Sequence, residues 1–166
     1  MAKISQQDLE KRLWAAANAL RGPVDPADFK TYVFPMLFWK WISDTWAYEH
    51  KEAVDEYGDE LTDQLEADFH RFEMPIGTRW SEVTTKVTNL GAEIAKAFQR
   101  IEKANPRSLA GVFGDAVWSN EDRIPESALL GLIAAFNEIR LDPGTVSHDL
   151  LGAGYEYLLK NFADES

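Results

Sequence analysis

Residues 29–48 read FKTYVFPMLFWKWISDTWAY, and this run constrains the fold more than any other part of the chain. It carries Phe29, Tyr32, Phe34, Phe38, Trp39, Trp41, Trp46 and Tyr48, with Val33, Met36, Leu37 and Ile42 between the rings. At helical spacing these side chains cover nearly every side of the segment, and a helix that is apolar all round is buried. Rings of this size take much apolar surface out of water, at roughly 25 cal/mol per Å². The run therefore predicts the central helix of an all-α domain, with the other helices packed around it. Asp25-Pro26 followed by Asp28 marks its start: an Asx cap, a proline where its missing N–H does no harm, and an acid in the first turn. Pro35 predicts a kink or a division into two helices. Only nine uncharged residues separate Lys30 from Lys40, against about 20 for a bilayer span, so the segment is a core helix and no membrane partner is expected.

The rest of the chain divides at its punctuation. Ser5 with Asp8 resembles a capping box, and Leu9, Leu13, Trp14, Ala17 and Leu20 form one apolar face ended by Arg21-Gly22-Pro23. The central helix should run from about Pro26 into the early fifties. Glu60 to His70 reads as a short acidic helix with Leu61, Leu65 and Phe69 on one side. Phe72 to Gly77 reads as an extended crossing segment that pins Met74 and Ile76 to the core. Thr78 or Ser81 can cap a helix through Trp80, Val83 and Val87, and Asn89 can cap another from Leu90 to about Ala104. Residues 107–124 are irregular. Pro125 opens a further helix, and Ser147 caps a last one through Leu151, Tyr155, Leu158 and Phe162. No strand alternation, repeat or low-complexity stretch is present. The expected fold is a single compact bundle of about seven or eight helices around the buried aromatic one. An apolar face carried to Phe162, close to the end of the 166 residues, predicts that more chain follows.

Composition removes several classes of chemistry. There is no cysteine, hence no disulfide and no thiolate metal site. No nucleophile elbow or phosphate-binding glycine loop is present. Glu66 and His70, one helical turn apart, could share a metal with Asp63 or Glu73. Acid-rich helices produce such pairs by chance, so no metal site is assigned. Trp39, Trp41, Trp14 and Trp80 are expected in the core, and Trp118, beside a polar run, at the surface.

Net charge is −11, which argues against nucleic-acid binding, but the charge is unevenly placed. Residues 44–73 hold eleven acids and two basic residues, whereas residues 79–107 hold six basic residues and three acids. Lys96, Arg100 and Lys103, with Arg107 just beyond, fall within about 60° of one another on a helix, opposite Leu90, Ile94, Ala97, Phe98 and Ile101. Such a strip could lie along a phosphate backbone, with Arg79 and Lys86 extending it. From pattern alone an ordinary solvated face is the plainer reading.

Several segments carry a resemblance: LWAAANALRG (13–22), FPMLFWKWISD (34–44), the 75–80 stretch with Arg79-Trp80, NLGAEIAKAFQRIEKANPRSLAGVF (89–113) and DLLGAGYEYLLKNFA (149–163). In this order they resemble the N-terminal helical domain of the modification (methyltransferase) subunit of type I restriction–modification systems. Asn18 departs from the aspartate frequent in the family, and Trp39 and Trp41 are bulkier than its usual leucine and tyrosine. The resemblance implies residues 1–163 as the helical domain and 164–166 as the start of a link to a catalytic domain. In the family that domain binds S-adenosylmethionine and methylates adenine at its exocyclic amine. Its Gly-Glu-Phe/Tyr-Tyr-Thr-Pro and Asn-Pro-Pro-Phe/Tyr motifs are not in this sequence, so no catalytic or cofactor-binding residue is expected here. The implied partners are the specificity subunit, a second modification subunit, the restriction subunit and double-stranded DNA, in the cytoplasm. Two roles follow for the helical domain: clamping the duplex, through Lys96, Arg100, Lys103 and Arg107 with Arg79 and Lys86, or docking on the specificity subunit or catalytic domain without touching DNA. A third class, an independent enzyme, would need a metal or a polar pocket.

Overall fold

The computed structural model describes residues 4–162, and among these all regular structure is helical. The seven α-helices are α1 (Gln6–Asn18), α2 (Phe29–Tyr57), α3 (Asp63–Ala67), α4 (Trp80–Val83), α5 (Leu90–Ala104), α6 (Glu126–Asn137) and α7 (His148–Phe162). The expected link at 164–166 lies outside the described residues, as does the side chain of Phe162. No helix among the described residues is long and apolar enough to cross a membrane.

Helix α2 is the axis. Asp25 accepts from the Ala27 N–H at 3.0 Å, a 3₁₀ turn at Pro26–Asp28 leads in, and 29 residues follow to Gly58, whose φ of 55° ends the helix. The helix is not divided at Pro35. The ring removes one hydrogen bond and crowds the preceding turn, at about 3 kcal/mol, but Pro35 is itself buried among Tyr32, Val33, Met36, Leu37 and Trp39, whose burial outweighs that loss. Beyond Tyr48 only Ala53 is buried, matching the polar composition of the tail.

Trp39 is fully buried and joins three elements. Its ring lies 4.7 Å from Trp80 and 5.3 Å from Phe98, and its Nε1–H donates to the Thr78 carbonyl at 3.0 Å. The next residue, Lys40, donates to Asp44 at 2.6 Å and to the Ile139 carbonyl, while Asp44 accepts from the Leu141 N–H at 2.9 Å. This pair fixes the chain leaving α6 to the side of α2. Burial pushes the Asp44 carboxyl above its ordinary range, against the opposing pull of Lys40 and the Leu141 N–H. Helix α1 packs on α6 and α7, and α7 also lies on α2, where Tyr155 meets Phe34 at 5.0 Å and Phe38 at 5.7 Å.

The shorter elements depart from the expected boundaries for local reasons. Gly58–Glu60 is taken up by a second 3₁₀ turn and Thr62 caps α3, which leaves five residues for that helix. Helix α4 stops after Val83 because Thr84 and Thr85 turn their hydroxyls back onto the Trp80 and Ser81 carbonyls, and the β-branched run beyond disfavours another turn. Neither Thr78 nor Ser81 caps it. Glu82 instead reaches back to the Gly77 and Arg79 N–H groups. Asn89 precedes α5 in the left-handed region, with its carbonyl and not its side chain engaged by Glu93. Asn105 ends α5 as expected and also staples the crossing segment, accepting from the Glu73 N–H at 2.9 Å and donating to the Glu73 carbonyl at 2.8 Å.

Two tryptophans are not where composition put them. Trp118 is 3% exposed, edge-on to Tyr32 at 5.1 Å and to Phe98 at 5.6 Å, so the polar run beside it covers a buried ring. Trp14 is exposed on the outer side of α1, with the Arg21 guanidinium 5.6 Å from its ring. The irregular segment 107–124 owes its place to Leu109, Phe113, Trp118 and Ile124, all buried. It approaches α5 so closely that a Cβ on Gly91 would stand 2.1 Å from the Trp118 carbonyl oxygen.

Two substitutions test this packing. Alanine favours a helix interior over glycine by about 1 kcal/mol, yet Gly91→Ala should destabilise by about 1–3 kcal/mol, because the carbonyl it meets is backbone and α5 must shift. A raised midpoint in urea would mean that α5 and residue 118 are not in contact. Trp39→Ala should lose about 3–5 kcal/mol by the same measurement.

Candidate nucleic-acid interface

Helix α5 has a sharply divided surface. Leu90, Ile94, Ala97, Phe98 and Ile101 are buried, and Phe98 stacks on Phe113 at 4.1 Å with the rings nearly parallel. That seating turns Lys96, Arg100 and Lys103 outward, and Arg107 is exposed just past the helix end. Three of the four cations the sequence placed on one strip therefore share an outward face of α5, with Arg107 exposed beyond its end. Lys103 and Arg107 make no ion pair among the described residues. Lys96 stands 3.8 Å from Glu93, and such an exposed pair is worth little.

The two flanking cations behave differently. Lys86 lies beyond α4 in a turn, is exposed, and stands 3.8 Å from Glu93, which places it beside the start of α5. Arg79 is turned inward. Its guanidinium sits 3.6 Å above the Trp46 ring and donates to the Met74 carbonyl at 3.1 Å. The link between Arg79 and the strip is the intervening turn, since an Arg100 guanidinium nitrogen lies 3.4 Å from where a Cβ on Gly77 would stand.

Trp46 is also the floor of a titratable cluster. His70 stacks on it at 4.7 Å and His50 at 5.1 Å, both nearly parallel. Glu66 joins the two histidines, 2.6 Å from His50 Nδ1 and 2.8 Å from His70 Nε2, while Glu49 faces His70 Nδ1 at 3.2 Å and accepts from the Arg71 N–H. Burial acts to raise the Glu66 carboxyl, but hydrogen bonds and charge from His70 and His50 outweigh it and hold the group below its ordinary range. Burial prevails at Glu49 and holds it above. The Glu66–His70 pair weighed as a metal site is thus a hydrogen-bonded network, and among the described residues no group of three or more acids and histidines is arranged to hold a metal.

Comparison with known proteins places this architecture. The model of the HsdM N-terminal domain matches residues 9–136. The chain belongs to that family. The crystal structure of the type I restriction-modification system methyltransferase subunit from Streptococcus thermophilus superposes with a TM-score of 0.63 at 20% identity, over 96% of this chain and 39% of that one. At that identity the likeness is one of fold, and the chain spans 39% of the length of the larger protein. The HsdM match includes most of α1 through most of α6, hence the cations of α5 and the Trp46 cluster.

The cluster was not visible as a unit in the sequence, where His50, His70 and the acids between them read as an acidic surface. The available signal was Glu66 and His70 at a four-residue spacing. What it could not show is that the 58–62 turns fold α3 back along α2.

The sign of the Glu66 shift gives a pH test. Folding favours the ionised carboxylate, so its stabilisation is complete above the ordinary carboxylate range and vanishes as pH falls through the depressed value. Glu66→Gln should cost about 1 kcal/mol near neutrality. The gap between variant and parent, measured by chemical denaturation across pH, should close in acid.

Proposed function

We propose that this domain grips the DNA backbone for a type I restriction–modification methyltransferase, as the helical part of a modification subunit whose catalytic domain lies outside these 166 residues. The observation that carries the reading is the cationic outer face of α5, Lys96, Arg100, Lys103 and Arg107, set on an otherwise acidic chain of net charge −11. Aligned cations on a rigid helix suit phosphate oxygens at successive positions and read no sequence. Lys86 extends the face at the start of α5. Arg79 contributes by holding the neighbouring turn more than by contact, because its guanidinium is engaged with Trp46 and Met74.

In this reading the whole enzyme transfers a methyl group from S-adenosylmethionine to the exocyclic amine of adenine, and the cofactor is bound beyond this chain. A base reached for chemistry must leave the stack, and the distorted duplex has to be held meanwhile. A helical lobe on the phosphates meets that need, while a specificity subunit reads the sequence and a second modification subunit and the restriction subunit complete the complex. A second reading, docking on the specificity subunit or the catalytic domain without DNA contact, draws on the same net charge, which opposes duplex binding by the isolated domain.

The two readings part in a titration of the chain with duplex DNA. Clamping expects weak binding whose logarithm falls with log salt, at a slope of about 0.9 per phosphate contact. Lys96→Glu with Arg100→Glu should reduce that slope by about 2 and weaken binding at least tenfold at low salt. Affinity that ignores both salt and these substitutions would leave the docking reading.

A further inference from the structure

We propose that the cleft between α3 and the 72–79 crossing segment is a protein-docking site, and that its occupant is a basic chain segment carrying a large apolar anchor. The cleft has a volume of about 390 Å³. Trp46, Phe72, Met74 and Pro75 form its apolar wall, and Ile76 stands at the rim with 79% of its surface exposed. A single exposed isoleucine is ordinary on a protein surface. Three features make this one different.

The first is that Ile76 is held out by design of the backbone. Met74 and Thr78 on either side are buried. The Thr78 N–H closes the turn onto the Pro75 carbonyl at 3.1 Å, and Gly77 takes a φ of 90°, as the third residue of a type II turn does. Glu82 accepts from the Gly77 and Arg79 N–H groups, and the Arg79 guanidinium caps Trp46 behind the turn. An apolar side chain on a turn fixed at this many points loses little freedom when a partner covers it.

The second is shape. Ile76 does not stand on a flat surface but beside a concave wall of aromatic and thioether side chains, which accepts an anchor residue from a partner.

The third is charge, and it selects the partner. Asp63 and Glu66 of α3 and Glu73 of the crossing segment also line the cleft, beside His70 and Arg79, whose guanidinium is engaged with Trp46 and the Met74 carbonyl. Glu52, Asp55, Glu56, Asp59, Glu60 and Asp68, from the last turns of α2 to the chain after α3, are exposed as well. Residues 44–73 together hold eleven acids against two basic residues. Phosphate is repelled there, and a segment with lysines or arginines around its anchor is attracted and oriented. The site goes beyond the duplex contact proposed above and does not depend on it. Arg100, at the edge of the cationic face, abuts Gly77, so the two surfaces are neighbours of opposite sign.

The test pans a random dodecapeptide phage library against the 166-residue chain at low salt and measures the enriched peptides by fluorescence anisotropy. Enriched peptides should be net positive around a leucine, phenylalanine or tryptophan. Ile76→Asp and Glu73→Lys, both at exposed side chains, should each weaken them about tenfold or more, with unchanged circular dichroism. Lys96→Glu should leave peptide affinity within a factor of about two, and duplex affinity should not follow Ile76→Asp, so failure here and failure of the duplex reading are separable. No enrichment, enrichment of neutral or acidic peptides, or binding indifferent to both cleft substitutions overturns the proposal.

Discussion

Everything on the cationic side of the molecule hangs from Trp39. Its indole faces Trp80 and Phe98, and its one polar atom is satisfied by the Thr78 carbonyl, so a single side chain holds α2, the end of the crossing segment and α5 in register. The contact is dispersive and hydrophobic in strength but directional in one bond, a combination that tryptophan supplies when both ends find partners. The Lys40–Asp44 pair does the complementary task on the adjoining side of α2. There the attachment is polar: the ammonium and carboxylate are drawn out of water only because each also binds the backbone of residues 139–141. Removing either partner would strand the other, which is why such pairs are costly to break even where they add little net stability.

The axis, its start at Asp25-Pro26 and the faces of α1, α5, α6 and α7 were legible in the sequence, because a 3.6-residue apolar period and helix caps are local signals. What was not legible depends on distant residues. Trp118 sits in a polar neighbourhood of sequence and a buried neighbourhood of space, and nothing local says that Tyr32 and Phe98 wait for it. Trp14 lies on an apolar stripe by spacing but at the edge of the stripe that α6 and α7 cover. Ile76 and Met74 look alike in the sequence; a glycine turn sends one out and leaves the other in. Pro35 was expected to bend or split its helix; the helix is not split, and core burial on both sides carries it past the proline.

The same division holds for the candidate surfaces. The cationic face of α5 could be placed from spacing alone, since one helix carries it and its apolar side must be buried. The Trp46 cluster and the acidic cleft needed the fold, because α2, α3 and the crossing segment contribute to each. Arg79 shows the limit of reading charge without contacts: by composition it extends the cationic strip, and in space it is a planar lid on an indole. Both surfaces fall within the residues matched by the HsdM N-terminal domain family.

The close approach of Gly91 to the Trp118 carbonyl reaches beyond packing. The segment 107–124 has no helix of its own, and its order is lent to it by rings seated against α5. If α5 moved away the segment would lose the Phe98 and Gly91 contacts while keeping Trp118 on Tyr32 and Arg123 on Asp28, and α5 would lose one wall if the segment left. An irregular stretch and the helix that bears the cations thus brace one another, and the opening of either weakens the other. This turns a surface helix into a braced one, whose cations keep their spacing.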